Sequence, residues 1–215
     1  LRQTAEDAGA VILSHCPAER LDRTGSGFHV TSARGVIRAG KVVLATNGYS
    51  GPLSGWHQRR VIPIGSYIIA TEELPRTLMD QLMPKDRILS DTRKLVFYYR
   101  PSPDRNRILF GGRVSVTETD PLKSGPKLLR ELLKLFPALA GIRISHSWAG
   151  TVAYSCHTLA HVGEDRGLFH AMGYCGSGVG MAGYLGMKTG LKVAGRPDGA
   201  TAFDGISAPT RPLYT

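Results

Sequence analysis

Cysteine is scarce: Cys16, Cys156 and Cys175 are the only three in 215 residues, widely separated and with no CxxC pair. That excludes a disulfide framework and a zinc ribbon, and makes a reducing compartment, the cytoplasm, the expected location. No apolar run approaches the roughly 20 residues of a membrane-spanning helix. The longest, residues 41–46 and 61–71, fall far short of it. The opening LRQTAEDAGA has neither a charged n-region nor an apolar h-region, so it does not read as a signal peptide. Tandem repeats, low-complexity tracts, a Ser-His-Asp order and a paired-carboxylate signature are also missing.

What is present is ordinary globular material, 42% hydrophobic and 20% charged, enough for one sizeable domain or two small ones. Lys and Arg number 27 against 17 Asp and Glu, a formal charge of +10. Such a balance suits an anionic partner: nucleic acid, a phosphate-bearing cofactor or a carboxylate substrate. Nucleic acid is the weakest of the three, because no recognisable module or aromatic stacking platform accompanies the charge. The first residues read as the end of a helix stopped by Gly9, so a further segment is expected upstream.

Residues 11–14, 28–32 and 35–38 read as strands, with turn chemistry at 24–27 and 33–35. The run KVVLATNGYSG is expected to be a strand buried on both faces that delivers a tight loop at Thr46, Asn47 and Gly48. Residues 61–71 are again extended, and 72–82 carry apolar residues at helical spacing. Residues 95–100 and 107–113 flank PSPDRN, whose prolines, Asp104 and Asn106 predict an antiparallel hairpin. Leu128, Leu129, Leu132, Leu133 and Phe136 share one helical face in 125–136, closed by Pro137. Residues 142–150 and 168–172 read as strands, and a glycine-rich run leads into a last helix before an irregular tail.

That run, GYCGSGVGMAG at 173–183, removes the side chains that keep a ligand off the main chain and precedes a helix whose N-terminus is positive. It suits an anionic or electron-rich group. Close helix packing is the competing reading. In the frame that starts at Gly176, Met181 stands where a dinucleotide fingerprint needs its last glycine.

VVLATNGYSG, followed by WAGTVAYSCHTLAHVG and GYCGSGVGMAGYLGMKTG, resembles the second half of an FAD-dependent oxidoreductase of the D-amino-acid oxidase family, which includes glycine and sarcosine oxidases. The similarity runs over residues 1–195. It implies an α/β chain of mixed α+β character: a partial FAD-binding Rossmann-like domain at 1–60 and 148–200, an inserted antiparallel-sheet substrate domain at 61–147, and an irregular tail at 201–215. The family's opening strand, GxGxxG turn and ribose acid are absent from the chain.

The resemblance assigns residues by position. Pro17 and Ala18 would offer backbone contacts near the adenine end of FAD, and Thr46, Asn47 and Gly48 would support the dinucleotide. The N–H groups of Gly176, Ser177, Gly178, Val179 and Gly180 would stabilise negative charge on the pyrimidine side of the flavin, as the helix-end argument also allows. Arg100 and Arg113, with Tyr98, are the substrate candidates, since an arginine fork binds both carboxylate oxygens. Against this, 85–113 holds eight basic and three acidic residues, the composition of a solvated face. Trp148 reads as a core residue, and His146, His157 and His161 as ordinary hydrogen-bonded histidines rather than metal ligands. No catalytic residue is singled out.

The expected function is therefore part of an enzyme passing hydride from a C–N carbon of a small amine or amino acid to FAD, with weak FAD binding by this chain alone. The alternative is a non-catalytic module that self-associates or binds a chain supplying the missing half, because strands such as 42–45 would otherwise be bared.

Overall fold

In the computed structural model, which describes residues 1–93, 96–112 and 120–210, the chain opens on the short helix α1 (Arg2–Asp7). Gly9 takes φ 92°, and the N–H groups of Gly9 and Ala10 close the helix on the Glu6 and Ala5 carbonyls. This is the glycine stop read from the sequence. Residues 11–14 form no strand. Val11, Ile12 and Leu13 stay exposed and find no ladder partner among the described residues, which apolar character alone cannot replace.

Three antiparallel strands follow, β1 (Arg20–Thr24), β2 (Gly27–Ser32) and β3 (Gly35–Ala39). Then comes β4 (Val42–Leu44), a Thr46-capped turn over Asn47–Tyr49, and the single-turn helix α2 (Gly55–Gln58). By contact the chain divides into two units, Leu1–Ile62 with Ala153–Thr215, and Pro63–Val152.

The second unit is built on β5 (Ile62–Thr71), α3 (Arg76–Leu82), β6 (Leu89–Ser90), β7 (Phe97–Pro101), β8 (Ile108–Gly112), α4 (Pro121–Leu135) and β9 (Ile144–Tyr154). Its sheet runs in the order β6-β7-β8-β5-β9, with β7 and β8 the expected hairpin. Asp120 caps α4 by accepting the Leu122 N–H at 2.9 Å. Leu128 and Leu132, one turn apart, are fully buried against Tyr67, Ile69, Phe97 and Phe110, with Leu129, Leu133 and Phe136 at the margin. One face of the sheet is thereby covered by α3 and α4.

The chain returns to the first unit through β10 (His161–Asp165), β11 (Leu168–Met172) and α5 (Gly178–Val193). β10 pairs antiparallel and β4 parallel with β11, in the order β10-β11-β4. β4 is thus an edge strand of this sheet. Val43 is 45% exposed, so β4 is not buried on both faces as its composition implied: apolar residues mark a strand without supplying its neighbours. After α5 the tail is irregular but docked. Phe203 packs on Ala160, Val162, Ala171 and Leu185, Asp204 pairs with Lys192 at 2.6 Å, and the Ala208 carbonyl accepts from Arg60 Nε at 2.7 Å.

Candidate functional site

In the first unit the loop after β4 and the loop after β11 are tied together. Thr46 Oγ1 lies 2.8 Å from Ser50 Oγ, and the Ser50 hydroxyl donates to the Asn47 carbonyl. Asn47 itself sits at φ 44°, a conformation asparagine tolerates better than most residues. Its Oδ1 accepts the Gly173 N–H at 3.0 Å, joining two segments more than a hundred positions apart. Gly48 is buried behind the turn. Asn47→Ala removes the acceptor and leaves a Cβ residue with φ above zero; a loss of about 1–3 kcal/mol is expected, with Asn47→Asp retaining most of it. Urea unfolding of the three proteins measures the difference.

The glycine-rich loop makes its turn through Gly173 (φ 73°), Cys175 (φ 52°) and Gly176 (φ 98°). The Cys175 N–H donates to the Ala153 carbonyl at 2.9 Å, and its thiol to the Gly173 carbonyl at 3.1 Å. Tyr174 donates its hydroxyl to Ala171 at 3.1 Å, and burial holds its pKa above the ordinary phenol value. The helix α5 then starts at Gly178, with no side-chain cap and no acidic residue in its first turn. Val179 is fully exposed, and a Cβ placed on Gly180 would meet nothing within 4 Å. The first-turn N–H groups of Gly178, Val179 and Gly180 therefore point, with the positive end of a four-turn helix, into an open space. That donor set fits an electron-rich ring edge or an anion.

Next to the Asn47 turn, Ala18, Glu19, Leu44, Thr46, Tyr49 and Ser50 line a groove of about 340 Å³ that ends at Ser54 and His57. Of the residues assigned to the dinucleotide, Ala18 and Thr46 meet in this groove. Asn47 and Gly48 lie behind it, Pro17 is exposed beside it, and Gly176 to Gly180 form a separate surface. Glu19, Ser50, Ser54 and His57 were not anticipated.

His57 belongs to a buried imidazole cluster that sequence reasoning missed. The rings of Trp56, His57 and His170 pack with centroids 4.7 to 5.1 Å apart. Ser54 Oγ lies 2.6 Å from His57 Nδ1. A Cβ on Gly163 would come 2.6 Å from the His170 ring, so the glycine makes room for it. Burial, then the Arg60 charge, pushes His57 down to about 4. Burial, then His57, His161 and Arg60, does the same to His170. His161 is also lowered, by burial and then by His157. All three line a second cavity of about 590 Å³, with Arg23, Glu164 and Asp165. The His157 ring nitrogen Nε2 and the Ser207 carbonyl are 2.9 Å apart.

In the second unit, alternation along β7 sends Phe97 and Tyr99 into the α4 core and Tyr98 and Arg100 to the opposite face. Tyr98 is half-buried and Arg100 exposed. Arg113 lies outside the described residues. Trp148, expected in a core, is 40% exposed on β9.

The sequence model of the FAD-dependent oxidoreductase family, DAO, matches residues 1–190. The chain belongs to the DAO family of FAD-dependent oxidoreductases. FAD is the cofactor of this family. Among DAO relatives, the chain is 29% identical over 215 residues to the probable oxidoreductase OrdL of Haemophilus influenzae, covering 98% of this chain and 49% of that protein. It is 34% identical over 152 residues to the gamma-glutamylputrescine oxidoreductase of Escherichia coli, covering 70% of this chain and 35% of that one. The glycine oxidase of Geobacillus kaustophilus superposes with a TM-score of 0.75 at 21% identity, over 95% of this chain and 55% of the oxidase. The chain spans about half the length of the relatives it matches. The shared fold is the mixed α/β architecture of these flavoenzymes.

Proposed function

We propose that this chain is part of a larger FAD-dependent oxidoreductase that oxidises the C–N bond of a small amine or amino acid, and that its first unit carries cofactor contacts and its second the substrate contacts. The observation that carries the reading is the Asn47–Gly173 hydrogen bond. It ties the loop at the end of β4, beside the groove, to the loop that opens α5, so the two candidate cofactor surfaces of the first unit are fixed relative to one another.

FAD, when bound, supplies the hydride acceptor for the substrate carbon. The chain's own residues bind and orient. Ala18 and Thr46 wall the groove, and the N–H groups of Gly178 to Gly180, aligned with the α5 dipole, favour negative charge beside them. Arg100, exposed on the face that α3 and α4 leave open, offers a fork to a substrate carboxylate, with Tyr98 two residues earlier on the same face. No protein nucleophile is required, since binding geometry supplies the chemistry's main demand.

The test compares the 215-residue chain with the complete protein encoded by its gene. The complete protein is expected to purify with about one flavin per chain and to lose flavin absorbance anaerobically with an amine or amino acid, while the short chain retains flavin weakly. A complete protein that binds no flavin, or whose flavin no amine reduces, overturns the reading. The exposed edge strand β4 and the bare Val11 to Leu13 run favour a second reading of the short chain, as a self-associating module. Sedimentation as a clean monomer counts against that.

A further inference from the structure

The pair Gly111-Gly112 at the end of β8 makes room for one ring on each face of the sheet. Tyr98 stands opposite Gly111 and Phe97 opposite Gly112. A Cβ on Gly112 would lie 2.4 Å from the Phe97 ring, and one on Gly111 2.5 Å from the Tyr98 ring. The first vacancy serves packing, because it lets Phe97 stack on Phe110 in the core at 5.3 Å. The second admits the Tyr98 ring beside Ile68, whose Cγ1 lies 2.8 Å from the same point. On the open face, the missing Gly111 side chain lets the Tyr98 ring lie flat across β8 and reach the next strand, where its hydroxyl meets Ser66 Oγ at 2.6 Å. Glycine inside a strand weakens the strand, and a half-buried phenol gains little from this reach. What it gains is a hydroxyl held at one point of the face that also carries Arg100.

We propose that Ser66 and Gly111 are positioning residues: the Ser66 hydroxyl donates to the Tyr98 oxygen across the gap left by Gly111, so that the Tyr98 O–H is aimed outward to donate to the carboxylate of an amino-acid-type substrate. This rests on the open face being the substrate side. A tyrosine hydroxyl has one proton and two lone pairs, and a serine that occupies a lone pair leaves the proton for the ligand. Arg100 lies two residues along the same strand, roughly 7 Å away, close enough to share that carboxylate.

The complete protein, labelled with [13Cζ]tyrosine, tests the positioning without turnover. In equal H2O and D2O the Tyr98 resonance, assigned by its loss in Tyr98→Phe, is expected to be a single line in the free protein, where the outward O–H exchanges with solvent, and to split into slowly exchanging protonated and deuterated forms when acetate, a carboxylate that cannot be oxidised as an amine, is bound and accepts that proton. The splitting should collapse in Ser66→Ala and Gly111→Ala and persist in Ser66→Thr. In anaerobic flavin reduction, Ser66→Ala should raise the KM for a carboxylate-bearing amine about tenfold with little change in kcat. The matched amine without the carboxylate should be unaffected.

A splitting already present without acetate, which would mean that Tyr98 donates to Ser66, a single line with acetate bound, or a splitting and KM untouched by Ser66→Ala, overturns the proposal. Should Gly111→Ala fail to fold, the serine pair decides alone. If no amine reduces the flavin while the splitting still depends on Ser66, the oxidase reading fails and the Ser66–Tyr98 arrangement stands without its substrate.

Discussion

Acidification from pH 7 to 4.5 is expected to destabilise the first unit by about 2 kcal/mol for each of His57 and His170. Both imidazoles are held near 4 in the fold, chiefly by burial, against about 6.5 in the unfolded chain. Between those values the unfolded chain binds protons that the folded chain refuses, so stability rises with pH there and is lost as pH falls from 6.5 toward 4. Below the folded pKa the penalty stops growing. The two losses are not simply additive, because the rings are 4.7 Å apart and charging one resists charging the other. Carboxylates such as Asp91 and Asp204, also held low, lose their stabilisation at the acid end of the range.

A variant isolates the histidine share. His57→Phe with His170→Phe keeps aromatic volume beside Trp56 while removing the titrating groups, and should flatten the slope between pH 6.5 and 4.5. Urea unfolding at half-unit pH steps measures it. An unchanged slope in the double variant would mean the buried imidazoles are not the cause.

How far such features are legible in the sequence depends on whether they are local. The Gly9 helix stop, the PSPDRN hairpin and the leucine face of α4 each rest on contacts within a few residues, and each appears where its chemistry predicts. The glycine-rich turn into α5 was legible as a turn and helix start, because glycine and a helix start are both local signals. The imidazole cluster was not. His57 follows SGW and His170 sits in the apolar LFHAM, and only the pairing of β10 with β11 and the packing of α2 bring them together. LFGGR read as a strand end, yet the roles of Gly111 and Gly112 depend on rings from the neighbouring strand. Val11 to Leu13 and Val43 fail in the opposite sense: their composition announces a buried sheet, and the described residues do not cover them.

The turn into α5 offers the sharpest test of the cofactor surface. Replacing Gly176 in the complete protein should weaken FAD binding in the order Asn, Ala, Val, with the valine variant losing up to about 100-fold. A Cβ at this position would meet nothing nearer than the Tyr154 hydroxyl at 3.9 Å, so the cost is in the backbone and not in a clash. At φ 98°, following Cys175 at 52°, the conformation is one asparagine tolerates with modest strain and a β-branched residue scarcely adopts. Strain of about 1–3 kcal/mol lets the unliganded loop relax to another shape. Binding must then recover the competent one, which lowers apparent affinity by roughly 5- to 150-fold. The helix itself starts two residues later and should keep its far-UV signal, so a fluorescence titration with FAD beside a thermal melt separates loop misplacement from unfolding. If the valine variant binds FAD as tightly as the unsubstituted protein, the N–H groups of Gly178 to Gly180 are not what holds the flavin. The groove at Ala18 and Thr46 would then have to supply the affinity, and Thr46, hydrogen-bonded to Ser50, becomes the residue to change.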